Sequence, residues 1–235
     1  MIEPYEDEPD NTGIAVTAAA ELMALAAATE AAGFSLSVHA IGDLAARNVL
    51  DAMESIPPVA DRMPHRIEHV QVLHPDDLGR LAAHGIATAV QPIHLETDWR
   101  IADAVWGDRS RYTYAFRTLL DLGTVVAFGS DAPVAPINPM LGIRAAITRQ
   151  SLDNKPEGGW YPEEKVTLEE AIYAYTMAPA IIAGKQAVQG SITANKWADL
   201  IVMNDDLFEM EETAVSQATI AMTIFAGDVV YAAEK

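Results

Sequence analysis

An α/β fold built on parallel strands, followed by a short antiparallel β tail, is the class this sequence predicts. Three observations carry the prediction. Between residues 34 and 149, apolar strand-like runs alternate with helix-forming stretches; a βαβα order makes the strands parallel and the helices crossovers. The four runs, at 34–40, 66–70, 86–91 and 124–129, each end in polar residues. Beyond Gly190 the pattern turns to short β-like runs at 198–203, 219–225 and 229–232, the last two joined by Ala226-Gly227-Asp228.

Residues 1–13 are acidic, carry Pro4 and Pro9, and read as a loop. From Thr17 to Ala32 the alanines, Leu22, Met23 and Leu25 favour helix, and Gly33 is a natural stop. The run 34–40 alternates strictly, with Phe34, Leu36 and Val38 on one face and Ser35, Ser37 and His39 on the other. A helix from Asp43 to Ser55 ends before Pro57 and Pro58. After the 66–70 strand, His74-Pro75 opens a helix that Gly85 closes, with Pro75 in the first helical position. The connection between the third and fourth strands holds one or two helices and ends at Gly123. Asn138-Pro139 opens a further helix to about Arg149, and 150–162 is a polar loop with Pro156, Gly158 and Gly159. Thr167-Leu168-Glu169-Glu170 is a capping box, starting a helix to about Met177.

Composition narrows the function. Among 235 residues, 15 Lys plus Arg stand against 34 Asp plus Glu, a net charge of −19. Nucleic acid and anionic membrane surfaces are therefore not expected partners, since both need a basic footprint. There is no cysteine, which excludes disulfides, thiolate metal ligands and thiol catalysis. The most apolar stretch, Ile14 to Ala32, is broken by Thr17, Glu21, Thr29 and Glu30, whereas a membrane span needs about 20 mostly apolar residues. The acidic first residues do not resemble a secretory signal, and a cytoplasmic location is the expectation.

The polar strand ends carry the chemistry. They read His39-Ala40-Ile41-Gly42-Asp43, Glu68-His69, Gln91-Pro92-Ile93-His94 and Gly129-Ser130-Asp131-Ala132-Pro133. In parallel βα units the strand C-termini lie together at one end, where functional residues collect. His39, His69 and Asp131 would then offer two imidazoles and a carboxylate, a donor set suited to zinc or a similar divalent ion. Asp131 shares strand parity with Val125, Ala127 and Gly129, small or apolar residues that suit a crowded interior.

Each residue also has a plainer reading. His39 and His69 could be satisfied core histidines, and Asp131 a turn cap before Ala132-Pro133. Asp43 reads first as the cap of the next helix, although with Glu68 it could also orient a histidine. His65, His74 and His84 read as surface or loop residues. His94 divides evenly between substrate contact and loop residue, and Arg149 is a cation at a helix end, where the dipole favours it. No G-x-S-x-G elbow, phosphate loop or dinucleotide fingerprint is present.

Taken in order, these residues resemble a known family. HAIGD at 39–43, HRIEH at 65–69, AVQPIH at 89–94, AFGSDAPV at 127–134, AYTMAPA at 174–180, WADLIVMNDD at 197–206 and TIFAGDVVY at 223–231 are similar to the C-terminal half of amidohydrolase family 3, the N-substituted formamide deformylase-like metal-dependent hydrolases. The resemblance implies strands 5 to 8 of a TIM (β/α)8 barrel over residues 1–185. It also implies a β tail, 186–235, that contributes to a small composite β-sandwich-type domain. It implies that His39 and His69 bind a divalent metal, with zinc the first candidate and iron or manganese acceptable. Asp131 would be both metal ligand and catalytic proton shuttle, with Gln91 and His94 beside a small amide-like substrate whose non-peptide C–N bond is hydrolysed.

The family also uses a His-x-His pair on its first strand and often a lysine on its fourth. No His-x-His occurs here. The chain is thus expected to begin just after the family's fourth strand. Four parallel strands cannot close a barrel, so a homo-oligomer, or pairing with an N-terminal half, is expected. A catalytically silent half-barrel acting as a folding or interaction unit is the alternative reading.

Overall fold

The computed structural model describes residues 1–57 and 63–233; Pro58 lies outside them. After an extended N-terminal segment come α1 (Ala19–Ala31), β1 (Ser37–Ala40), α2 (Asp43–Glu54), β2 (Arg66–His69), α3 (Arg80–Ala83) and β3 (Ala87–Val90). Then follow α4 (Leu95–Trp106), α5 (Phe116–Asp121), β4 (Val126–Phe128), α6 (Pro139–Thr148) and α7 (Leu168–Ile182). The tail holds β5 (Leu200–Met203), β6 (Ile220–Phe225) and β7 (Asp228–Ala232).

The α/β class with a parallel sheet is what forms. The strands β1-β2-β3-β4 pair in sequence order, all parallel, and β5-β6-β7 make a separate antiparallel sheet. One face of the parallel sheet is covered by helices: Ile67 is fully buried, with Thr88 beside it in register, and Leu50, Leu81, Phe116 and Leu119 join the same core. The other face carries Ser37, His39, Arg66 and Glu68. It is partly open, with Glu68 accepting from Ser37 Oγ and Arg66 Nε at 2.6 Å each. The tail is tied to the helices, because the 3-10 turn Glu212–Gln217 rests on α6 with Val215 buried and Thr213 O accepting from Arg144 Nε at 3.0 Å.

Several local expectations change. Phe34 does not share the half-buried face of Leu36 and Val38; it precedes β1 and is 68% exposed. The stretch from His74 to Gly85 is not one helix but a 3-10 turn, Pro75–Asp77, followed by α3. Here Asp77 turns inward to pair with Arg47 at 2.8 Å and Arg80 at 2.9 Å, which keeps the turn tight. Helix α7 runs past Met177 and through Pro179 to Ile182. Burial of Ala174, Ala178 and Ala180 outweighs the one backbone bond that proline cannot make.

The capping box forms as read, with Glu170 N–H donating to Thr167 Oγ1 at 3.2 Å and Thr167 N–H to Glu170 Oε2 at 2.8 Å. Thr167→Ala is expected to cost about 1 kcal/mol, lowering the midpoint of thermal unfolding by roughly 2–4 °C. Calorimetry showing no shift would mean that packing alone starts α7.

Candidate functional site

The ends of all four parallel strands face one cavity of about 650 Å³, whose walls include His39, His69, Gln91, His94 and Asp131. The five site residues read from the sequence are thus brought together. How they get there differs from simple strand alternation. In register, His39 lies opposite Glu68 and Ala40 opposite His69. Paired positions point to the same side of a sheet and neighbours to opposite sides, so His39 and His69 would face away from each other. They do not, because His69 has φ +74° and Val70 φ +44°. This left-handed step is uncommon for a histidine and rarer for a β-branched valine. It breaks the alternation at the end of β2 and sets the His69 ring edge-on to His39, with centroids 4.5 Å apart. Strained backbone of this kind clusters at functional sites.

Gln91 is committed to His69. Its Nε2 donates to Ala89 O at 3.3 Å, which leaves Oε1 to accept from His69 Nδ1 at 2.8 Å. His69 therefore carries its proton on Nδ1 when neutral, and the Nε2 lone pair is free for a metal or an acidic proton. His39 has a lowered pKa, chiefly because the cavity partly desolvates it and secondly because His69 repels its charge; Asp131 and Glu68 oppose the shift. His94 is lowered by burial, against the pull of Asp98 and Asp131. It stacks on His69 at 6.5 Å, and its buried Nε2 makes no hydrogen bond among the described residues.

Asp131 is placed by a turn, not by strand parity, since β4 ends at Phe128. Its φ is +57°, its backbone carbonyl accepts from Val134 N–H at 2.8 Å, and its exposed side chain caps nothing among the described residues. Close packing fixes this end of β4: Tyr175 OH donates to Gly129 O at 3.4 Å. A side chain at Gly142 on α6 would collide with that hydroxyl.

Imidazole nitrogens and a carboxylate are apt donors for a divalent ion. Among the described residues, however, no three His, Asp or Glu side chains are gathered round one point as a metal requires. The donors fit in kind; the ligand shell is not closed by these strands alone.

Other polar residues settle elsewhere. Asp43 Oδ1 accepts from Ile2 N–H at 2.9 Å, so it anchors the N-terminal segment, and among the described residues it hydrogen-bonds no histidine. His65 is buried, not on the surface, and its Nδ1 accepts from Leu36 N–H at 2.9 Å. His74 caps its turn by accepting from Asp76 N–H at 3.2 Å. Sequence reading missed Gln71, Asp98 and Tyr114, which line the same cavity. The available signal for Gln71 was its place two residues after His69 at the same strand end.

Comparison with known proteins bears on the family and the fold. The model of the amidohydrolase family matches residues 1–231. The amidohydrolase YtcJ of Bacillus subtilis is 34% identical over 230 residues, covering 97% of this chain and 43% of that protein. The N-substituted formamide deformylase of Arthrobacter pascens is 31% identical over 191 residues, 79% of this chain and 34% of the enzyme. A solved metal-dependent hydrolase from Pyrococcus horikoshii superposes with a TM-score of 0.77 at 26% identity, covering 89% of this chain and 42% of that one. The chain spans less than half the length of each of these proteins. Among the described residues, no helix is long and apolar enough to cross a membrane.

Proposed function

This chain belongs to the amidohydrolase family, and on that premise we propose that it contributes strands 5 to 8 of a metal-dependent hydrolase barrel that cleaves a non-peptide amide or formamide C–N bond. The observation that carries the reading is the convergence of His39, His69, His94 and Asp131 on one cavity. His39 and His69 would hold a divalent ion, with zinc the first candidate and iron or manganese compatible with the same donors. Such an ion supplies Lewis acidity to a carbonyl oxygen and makes water a better acid. Asp131 takes the proton of the attacking water and returns it to the amine nitrogen as the C–N bond breaks, so the products are a carboxylate and an amine. Gln91 holds His69 in the tautomer that leaves Nε2 unprotonated.

Purified chain supplied with zinc, iron or manganese should hydrolyse an N-acyl or N-formyl amine. Gln91→Leu releases His69 Nδ1 and is expected to weaken metal affinity about 10- to 100-fold, read by titration with a competing chelator. Unchanged affinity would remove Gln91 from the site.

The unclosed ligand shell favours a second reading. In it the four-stranded unit is catalytically silent alone and pairs through the edges of β1 and β4, with a copy of itself or with a chain that supplies further strands. Elemental analysis and light scattering separate the two. Well under one metal per chain with no hydrolysis supports the silent unit, and a stable monomer argues against pairing.

A further inference from the structure

Gln71 and Asp98 stand on the wall shared by two cavities. One is the 650 Å³ cavity of the histidines; the other, of about 400 Å³, is lined also by Tyr5, Ile101 and Trp106. Asp98 Oδ2 accepts from Gln71 Nε2 and from Tyr114 OH, each at 2.7 Å, while Oδ1 accepts from Thr97 Oγ1 at 2.9 Å. A carboxylate only accepts, so Gln71 must turn its NH₂ toward Asp98. The amide oxygen then faces away from Asp98, and among the described residues Gln71 Oε1 accepts no hydrogen bond.

The clamp is rigid. Tyr114 is 2% exposed, its N–H donates to Gln71 O at 2.9 Å, and its own carbonyl is held by Arg149 at 2.6 Å. Burial, then the Asp98 charge, raises the Tyr114 pKa well above the usual tyrosine value, so the hydroxyl stays a donor. Gln71 itself is half-buried, so its amide oxygen can be reached from the cavity, and on the same wall His94 Nε2 is buried without a hydrogen bond among the described residues.

We propose that Gln71 is a substrate-binding residue whose Oε1 accepts the N–H of a secondary amide, with Asp98 and Tyr114 as positioning residues that fix the orientation of its side chain. The ligand class rests on the amide-hydrolase reading; the polarity of the contact rests on the hydrogen bonds alone. A secondary amide with its acyl group among the histidines and its N-substituent toward the smaller cavity passes Gln71 with its N–H available. A tertiary amide offers nothing to this acceptor and leaves it desolvated.

The test is binding, so it does not depend on turnover. Isothermal titration compares N-butylacetamide with N-butyl-N-methylacetamide. The unaltered chain should bind the N–H amide about five- to tenfold more tightly, as one hydrogen bond predicts. Gln71→Leu should abolish that preference, and Asp98→Asn, which gives Gln71 a donor to face, should reduce it. An equal preference in Gln71→Leu overturns the proposal. So does the absence of any preference, or of any binding, in the unaltered chain, whether or not the variants fold. Intact preference without hydrolysis of either amide would instead count against hydrolysis by this chain alone and leave the Gln71 contact standing.

Discussion

Asp131→Asn is expected to lower kcat/KM for hydrolysis of an N-acyl amine by about 10²- to 10⁴-fold while leaving the thermal unfolding midpoint unchanged. The rate effect is that of removing a positioned general acid/base. Asparagine keeps the shape of the side chain but cannot accept and return a proton. It also tolerates the left-handed backbone that φ +57° imposes, and the Val134 N–H to Asp131 carbonyl bond does not depend on the side chain. The side chain makes no hydrogen bond among the described residues, so stability has little to lose. A rate within threefold of the unaltered chain would mean that another group moves the proton. A matching fall in melting temperature would mean that Asp131 is structural.

The largest stability effect is expected at Arg149. The sequence suggests a cation favoured by the dipole at a helix end, and the structure buries it completely. Its guanidinium donates to Trp160 O at 2.8 Å, Tyr114 O at 2.6 Å and Thr113 O at 3.3 Å, and lies between the Phe116 and Trp160 rings at 5.5 and 5.3 Å. Among the described residues no carboxylate hydrogen-bonds it. Burial therefore dominates, lowering its pKa to about 10, with Glu164 the foremost opposing charge. Arg149→Met keeps much of the volume but leaves buried carbonyls unpaired, at a cost of about 3–5 kcal/mol. That corresponds to a fall of roughly 6–20 °C in the unfolding midpoint. Arg149→Lys should rescue little, because one ammonium cannot span three carbonyls from a fixed planar fork. Circular dichroism melts check both, and a Lys variant as stable as the parent would show that charge, not geometry, is what the site needs. Because Arg149 holds the Tyr114 carbonyl, the Met variant should also blunt the preference for secondary over tertiary amides.

Periodicity and punctuation made most of the parallel unit legible. Alternation marked β1, the Asn138-Pro139 start marked α6, and Thr167 with Glu170 marked α7. The site was legible as a set of residues, because strand C-termini in a parallel sheet share one end wherever the helices go. Its geometry was not. Strand parity alone would separate His39 from His69, and only the left-handed step at His69 and Val70 rejoins them. Parity likewise had no bearing on Asp131, three residues past the end of β4.

The sequence by itself determined the order of strands and helices, the absence of cysteine chemistry, the acidic charge, and which residues stand at the strand ends. These are local or compositional properties, written in spacing, caps and counts. Tertiary structure alone decided that Gln91 hydrogen-bonds His69, that Asp98 holds the Gln71 amide by its NH₂, that His65 is a buried acceptor for Leu36, and that Arg149 ties the α6 end to the chain around Thr113 and Tyr114. Each of these is a contact between segments roughly 20 or more residues apart in the chain. Such contacts exist only once burial has removed water as the competing partner, so no local pattern records them.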